Sequence, residues 1–200
     1  MIFKQIRPDI KLKEVKRLLG GQNNNQLDDL ITTMIKEAKN LIKPVASFKK
    51  VSLNNKSEIF LFAVSIGHRL ENEVRNLFGS GNYSQATVLD AAGSAAVEDL
   101  RDKFKKLAAK LAAKNNLYLG QDYTPGSGLI KLSSQAKIIS ILAGEEIGLS
   151  VNQHNLLEPK KSITSIIEIT AKKEANRKAS CLSCNLKDCQ YRKELDQCQK

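Results

Sequence analysis

The 200-residue sequence has no Trp, only two His and four Pro, and its aromatic residues are four Tyr and six Phe. Proteins that stack nucleic-acid bases interleave aromatic and basic side chains, and this pattern is missing. No apolar run reaches the roughly 18 residues of a membrane span, and the charged start MIFKQIRPDIKLKE is atypical of a signal peptide. We therefore expect a cytoplasmic protein without membrane contact.

Motifs of common enzyme classes are also missing. The sequence contains no G-x4-G-K-[ST] phosphate loop, no complete G-x-G-x-x-G, no H-E-x-x-H and no G-x-S-x-G. His68 and His154 lie far apart in the chain, and the adjacent Glu145 and Glu146 face different directions on a helix. We predict no catalytic residues and no independent catalysis.

What the chain does have is a hydrophobic content of 42% and a net charge of +11. This content is enough for one sizeable core in one main domain. The excess of Lys and Arg suits a nucleic acid, an anionic membrane or an acidic protein surface. Because the lysines are spread along the whole chain, a solvated basic surface is the preferred explanation.

Apolar periodicity predicts helices and strands in separate stretches. Helical spacing occurs in residues 10–19, in residues 27–42 before Pro44, in HRLENEVRNLF and in residues 85–113. VASFKKVSL and SEIFLFAVSIG are rich in β-branched and aromatic residues, which indicates strands. About five helices and four strands are expected, and the fold class is α+β.

The segment after the first four helices predicts one more helix and a hairpin. Ser133 is a candidate N-cap for LSSQAKIISILAGEEIG, and the turn EPKKS predicts a β-hairpin between its flanking extended runs. We place an α+β domain at residues 1–170, with an N-terminal helical part at 1–45, and a basic Cys-rich tail at 171–200.

All four cysteines lie in this tail, in the pattern C-x2-C-x4-C-x8-C. A two-residue spacing allows one turn to direct two sulfurs at one metal ion or iron–sulfur cluster. Free thiols in a reduced cytosol and a disulfide pair are the alternatives, and the spacing does not distinguish zinc from iron. The candidate ligands are Cys181, Cys184, Cys189 and Cys198.

Several segments, in this order, resemble the activation (reactivation) domain of vitamin B12-dependent methionine synthase in a free-standing form. They are FLFAVSIGHRLENEV, ATVLDAAGSAAVEDL, residues 122–169 and CLSCNLKDCQYR. The resemblance implies helices packed on a mainly antiparallel sheet. It also implies S-adenosylmethionine as cofactor and a partner that binds cobalamin, either a corrinoid-binding protein or a cobalamin-dependent methyltransferase. Cobalamin itself would be met only through that partner.

The family's cofactor loop reads Arg, an aromatic, a small residue, Pro, Gly, Tyr and Gly, and its Arg and Tyr help hold the ligand. Those two positions are Asp122 and Ser127 here, and the family's acidic helix residue falls at Lys106. The resemblance therefore implies a degenerate site that binds through its backbone. TPGS also fits an ordinary type II turn. The predicted cofactor-binding residues are Tyr123, Thr124, Pro125, Gly126 and Gly128.

The leading hypothesis is an accessory protein of corrinoid-dependent methyl transfer, in which the cysteine cluster passes an electron toward cobalt. A zinc-stabilised nucleic-acid-binding or regulatory module is the alternative. A true S-adenosylmethionine-dependent methyltransferase ranks last, because the sequence has no glycine-rich dinucleotide-type loop.

Overall fold

The computed structural model describes residues 1–4, 6–20, 27–53, 57–126 and 130–172. Within these ranges the chain forms five α-helices, two short 3-10 helices and seven strands. The helices are α1 (Leu12–Leu18), α2 (Asp28–Leu41), α3 (Arg69–Gly79), α4 (Tyr83–Ala113) and α5 (Gln135–Ile141). The strands are β1 (Ile2–Phe3), β2 (Val45–Leu53), β3 (Ser57–Ser65), β4 (Tyr118–Tyr123), β5 (Ser150–Val151), β6 (Leu157–Glu158) and β7 (Ser162–Thr170).

The main sheet has five strands in the order β1-β2-β3-β7-β4, and every neighbouring pair is antiparallel. The predicted α+β class with an antiparallel sheet is therefore confirmed. β2 and β3 have the residue ranges expected from the apolar runs, and they form a hairpin. β3 lies at the centre of the sheet, and most of its residues are buried.

Helices α1 to α4 cover one face of this sheet. The 31-residue α4 crosses the sheet and carries Phe104, whose ring contacts those of Phe48 and Phe62 from the strands. Small buried residues such as Ala92 and Ala96 allow the other helices to approach α4 closely. None of the helices in the described ranges is long and apolar enough to cross a membrane.

A smaller layer covers the opposite face. It contains α5, the 3-10 helix Gly144–Ile147 and the β5–β6 hairpin, which bury a second apolar cluster against Leu61 and Ala63 of β3. Two polar contacts fasten it to the sheet. The Thr164 hydroxyl donates to Gln135 Oε1 at 2.6 Å, and Ser47 Oγ donates to the carbonyl of Leu142 at 2.5 Å.

Two local predictions are wrong. Ser133 lies inside the 3-10 helix Leu132–Ser134, and α5 begins at Gln135 without a side-chain cap. The predicted hairpin around EPKKS does not form, because β6 pairs with β5 while β7 pairs with β3 and β4. β7 thereby buries Ile167 in the main sheet, which a two-stranded hairpin cannot do. The hairpin turn is instead at residues 152–156.

Gly120 permits the close approach of β4 to β7. A Cβ at this position would overlap the Cβ of Glu168 and lie 3.1 Å from the Glu168 backbone oxygen. We expect Gly120→Ala to destabilise the fold by about 1–3 kcal/mol, because backbone and side chain must both shift. Gly79→Ala is the matched control, since Gly79 ends α3 and its added Cβ meets no atom within 4 Å.

Urea unfolding of both variants measures the two effects. Gly79→Ala should be unchanged or more stable, by about 0.4–1 kcal/mol, because alanine restricts the unfolded chain. Equal stability of Gly120→Ala and the unchanged protein would contradict the tight β4–β7 contact.

Candidate functional site

The candidate cofactor residues lie at the end of the edge strand β4 and in the turn after it, and β4 pairs only with β7 among the described strands. The register shifts between Leu119 and Asp122, which marks a bulge. The resemblance placed the start of the cofactor loop at Asp122, whereas Asp122 and Tyr123 belong to the strand. Successive strand side chains point to opposite faces, so Asp122 faces α4 while Tyr123 faces away from it.

Asp122 is the centre of an ion cluster between α4 and the sheet. Arg101 Nη2 and Lys105 Nζ each lie 2.8 Å from Asp122 Oδ2. They reach the same oxygen because residues four apart lie on one face of a helix. Oδ1 accepts a hydrogen bond from the hydroxyl of Ser165 on β7. Both carboxylate oxygens are therefore engaged, and the side chain is only 13% exposed.

The same neighbours set the protonation state of Asp122. Burial alone raises the pKa of this carboxyl, but the charges of Arg101 and Lys105, with hydrogen bonds from Lys105 and Ser165, outweigh burial and hold the pKa below its usual value. Asp122 is therefore an anion at neutral pH. Two cations and one anion leave the cluster with a net charge of +1.

Arg101 keeps one polar atom without a partner. Its Nε is buried and has no hydrogen-bond acceptor in the described part of the chain. In the folded chain the negative charge of Asp122 is compensated by the two helix cations.

Tyr123 is also engaged within the protein. Its hydroxyl donates to Glu168 Oε1 at 2.9 Å, and the other oxygen of Glu168 accepts the N–H of Gln121 at 3.1 Å. Glu168 thus fastens the bulged part of β4 to β7. The aromatic ring of Tyr123 is half-buried, which agrees with a packing role as well as with a place beside a ligand.

The turn after β4 closes on itself. Pro125 is buried and Gly126 has a φ of +85°, as expected at the third position of a type II turn. The Gly126 N–H donates to the carbonyl of Ile130 at 2.9 Å, so this backbone donor is already used. Thr124 is half-buried. Ser127 and Gly128 lie outside the described residues.

The other sequence candidates are spread over the fold. Lys106 is exposed, and its neighbour Lys105 is the residue that reaches Asp122. His68 and His154 are exposed at separate places. Glu145 and Glu146 are exposed, as expected of solvated carboxylates. The four cysteines lie outside the described residues, and the part that is described contains no group of three possible metal-ligating side chains.

One solved structure identifies the fold. It is the reactivation domain of MetH, determined with AdoHcy bound, and it matches with a TM-score of 0.57 and 10% sequence identity. This chain has the fold of that domain. The match covers 76% of this chain and 69% of the MetH domain. No protein-family model and no curated protein sequence matches the chain.

The sequence prediction missed Arg101, Lys105, Ser165 and Glu168. Arg101 and Lys105 had a detectable signal, because they are four residues apart and flank the apolar stripe of α4 at Phe104. Ser165 and Glu168 had none, since their roles depend on the pairing of β7 with β4.

Asp122→Asn should lower the free energy of unfolding at pH 7 by about 1–3 kcal/mol, because it leaves Arg101 and Lys105 without their carboxylate. The pKa of folded Asp122 lies below the unfolded value of about 3.9. The stabilisation is therefore present above about pH 4 and is lost as the pH falls through the lowered pKa.

Urea unfolding at pH 7, 5 and 3 tests this sign. The difference between the unchanged protein and Asp122→Asn should be constant from pH 7 to 5 and should shrink toward pH 3. Glu146→Gln, which removes an exposed carboxylate, is the control and should show little difference at any pH. A difference for Asp122→Asn that stays constant down to pH 3 would contradict the ion cluster.

Proposed function

We propose that this chain is an accessory, non-catalytic protein of corrinoid-dependent methyl transfer, which docks on a cobalamin-binding partner. One observation carries the proposal: the chain keeps the reactivation-domain fold, with a turn after β4, at 10% sequence identity. A shared fold alone does not determine function. The contacts that the polar groups around that turn make within the protein support docking over catalysis.

Those side chains are occupied within the protein. Asp122 binds Arg101 and Lys105, Tyr123 binds Glu168, and the Gly126 N–H binds the carbonyl of Ile130. A general base or nucleophile needs a reactive group that a substrate can reach. We find no such group around this turn in the described residues, which favours a binding role.

The same contacts decide how S-adenosylmethionine fits. The family's Arg and Tyr positions hold Asp122 and Ser127, and Asp122 is fully engaged by its neighbours. A ligand that took these partners would leave a buried carboxylate unpaired, which is costly. The described residues therefore do not fit the side-chain contacts by which the family binds S-adenosylmethionine. We propose that the site is degenerate and that docking persists without it.

Binding to a defined partner tests the proposal. The probe is a purified methionine synthase fragment that carries cobalamin and lacks its own reactivation domain. We expect sedimentation velocity and calorimetry to detect a one-to-one complex with a dissociation constant in the micromolar range, typical of weak transient interfaces. The matched control is the same enzyme with its reactivation domain present, which should bind at least about tenfold more weakly because its docking position is taken.

Three further titrations separate the alternatives. S-adenosylmethionine and AdoHcy should give no saturable heat, and binding of either that Gly126→Ala abolishes would contradict the proposal that docking persists without cofactor binding. Gly126→Ala is chosen because its φ is positive and its Cβ would lie 3.1 Å from Leu132. A labelled DNA duplex should bind weakly. Affinity for DNA that falls steeply with salt, without any complex with the cobalamin fragment, would favour the nucleic-acid alternative.

The cysteine cluster is a second part of the proposal. We propose that Cys181, Cys184, Cys189 and Cys198 would hold an iron–sulfur cluster. Such a cluster would take one electron from an external one-electron reductant and would supply it to cobalt. Iron and acid-labile sulfide should be present in anaerobically purified protein and lost in Cys181→Ser. Zinc without sulfide would indicate a structural site, and the absence of both iron and sulfide would exclude the electron-transfer role.

A further inference from the structure

A cavity of about 320 Å³ lies at the far end of β4 from the candidate cofactor turn. It is bounded by the C-terminal end of α4, by Leu117 just before β4 and by Ile169 near the end of β7. The turn follows Tyr123 at the other end of β4, and Tyr123 pairs with Ile166 of β7. At about 3.3 Å per residue, the two places are well over 10 Å apart. The cavity is therefore separate from the site described above.

The inner surface of the cavity is apolar. Phe48 and Phe60 line it with rings 5.0 Å apart, and Ala112 lines it from α4. All three are buried, with exposures of 1%, 4% and 2%. A heterocyclic base would lose its hydrogen bonds to water against these walls without finding partners. An alkyl chain forms no hydrogen bonds with water, so it can enter this apolar cavity without that cost.

The exposed rim of the cavity is positively charged. Lys50 and Lys114 both line the cavity and are exposed, and no residue that lines it is acidic within the described ranges. Lys50 forms an ion pair with Glu58 at 2.7 Å. Lys114 has no ion pair in the described part of the chain, so its charge remains available to a ligand.

The backbone carbonyls at the C-terminal end of α4 are used within the chain. The carbonyl of Ala112 accepts the N–H groups of Asn115 and Leu117, and that of Ala113 accepts the N–H of Asn116. These bonds reduce the partial negative charge at this end of the helix. A volume of about 320 Å³ is within the range of about 300–1,000 Å³ for small-molecule sites, at its lower limit. This volume suits one alkyl chain better than the two acyl chains of a phospholipid.

We infer that this cavity binds a single-chain alkyl carboxylate, with the chain between Phe48, Phe60 and Ile169 and the carboxylate at Lys114. The apolar wall supplies most of the affinity, since burial of each CH2 group is favourable. The lysine supplies the preference for a negative head group. The inference does not depend on the function proposed above.

Three ligands with the same ten-carbon chain test the inference: decanoate, decanol and decyltrimethylammonium. Calorimetry below the micelle concentrations of the two ions and below the solubility limit of decanol should show decanoate binding tightest, by about fivefold to tenfold over decanol, with the cation weakest. Lys114→Glu should weaken decanoate by about tenfold or more and strengthen decyltrimethylammonium. Lys137→Glu, the same charge change on exposed Lys137 of α5, should leave all three affinities unchanged.

A second variant locates the chain of the ligand. Ala112→Phe should fill the cavity and reduce decanoate binding at least about tenfold, with circular dichroism as the check on folding. If Ala112→Phe fails to fold, Lys114→Glu still tests the position of the head group, because it should weaken decanoate binding and strengthen decyltrimethylammonium binding. Equal affinity for the three ligands, no binding of decanoate, or an unchanged decanoate affinity in a folded Ala112→Phe would each overturn the inference. Binding only to phosphatidylglycerol vesicles, and not to free decanoate, would also overturn it.

Discussion

Strand β3 is buried on both faces, and this double burial organises the fold. Phe60, Phe62 and Val64 face the helical layer, whereas the alternate residues Leu61 and Ala63 face the layer of α5. A strand with apolar side chains on both sides needs a cover on each face and a partner at each edge. β2 and β7 supply the partners, and the two layers supply the covers. The position of β7 then provides an edge on which β4 can pair.

The candidate site depends on this last step. β4 contains Gly120 and Asp122, which are poor strand formers, and it has one neighbour among the described strands. Its other support is electrostatic, through Arg101 and Lys105 on α4 and through Ser165 on β7. The carboxylate of Asp122 therefore links helix, central sheet and edge strand. The ion cluster is thus a structural contact that holds β4 against α4 and the sheet.

An element could be predicted when its own residues determine its conformation, and could not when neighbouring elements determine it. α1 to α4, β2 and β3 were predictable because their own apolar residues carry the period of helix or strand. β4 was not predicted, since its strand conformation comes from β7 and α4 and not from its own side chains. The expected EPKKS hairpin failed for a related reason. β6 and β7 are close in sequence, which suggested that they pair with each other. Pairing of β7 with β3 instead buries Ile167 in the central sheet, and this burial of apolar surface is favourable.

The ion cluster also restricts which residues position 122 can hold. Arg at position 122 alone would face Arg101 and Lys105 at short range in a partly buried place, and three cations would replace a compensated group. Replacing Asp122 by a cation would require simultaneous changes on β4 and on α4, because each charge is balanced by the other element. Single substitutions that reverse one of these charges are therefore disfavoured. The charge arrangement is self-consistent, and helix, sheet and edge strand constrain one another through it.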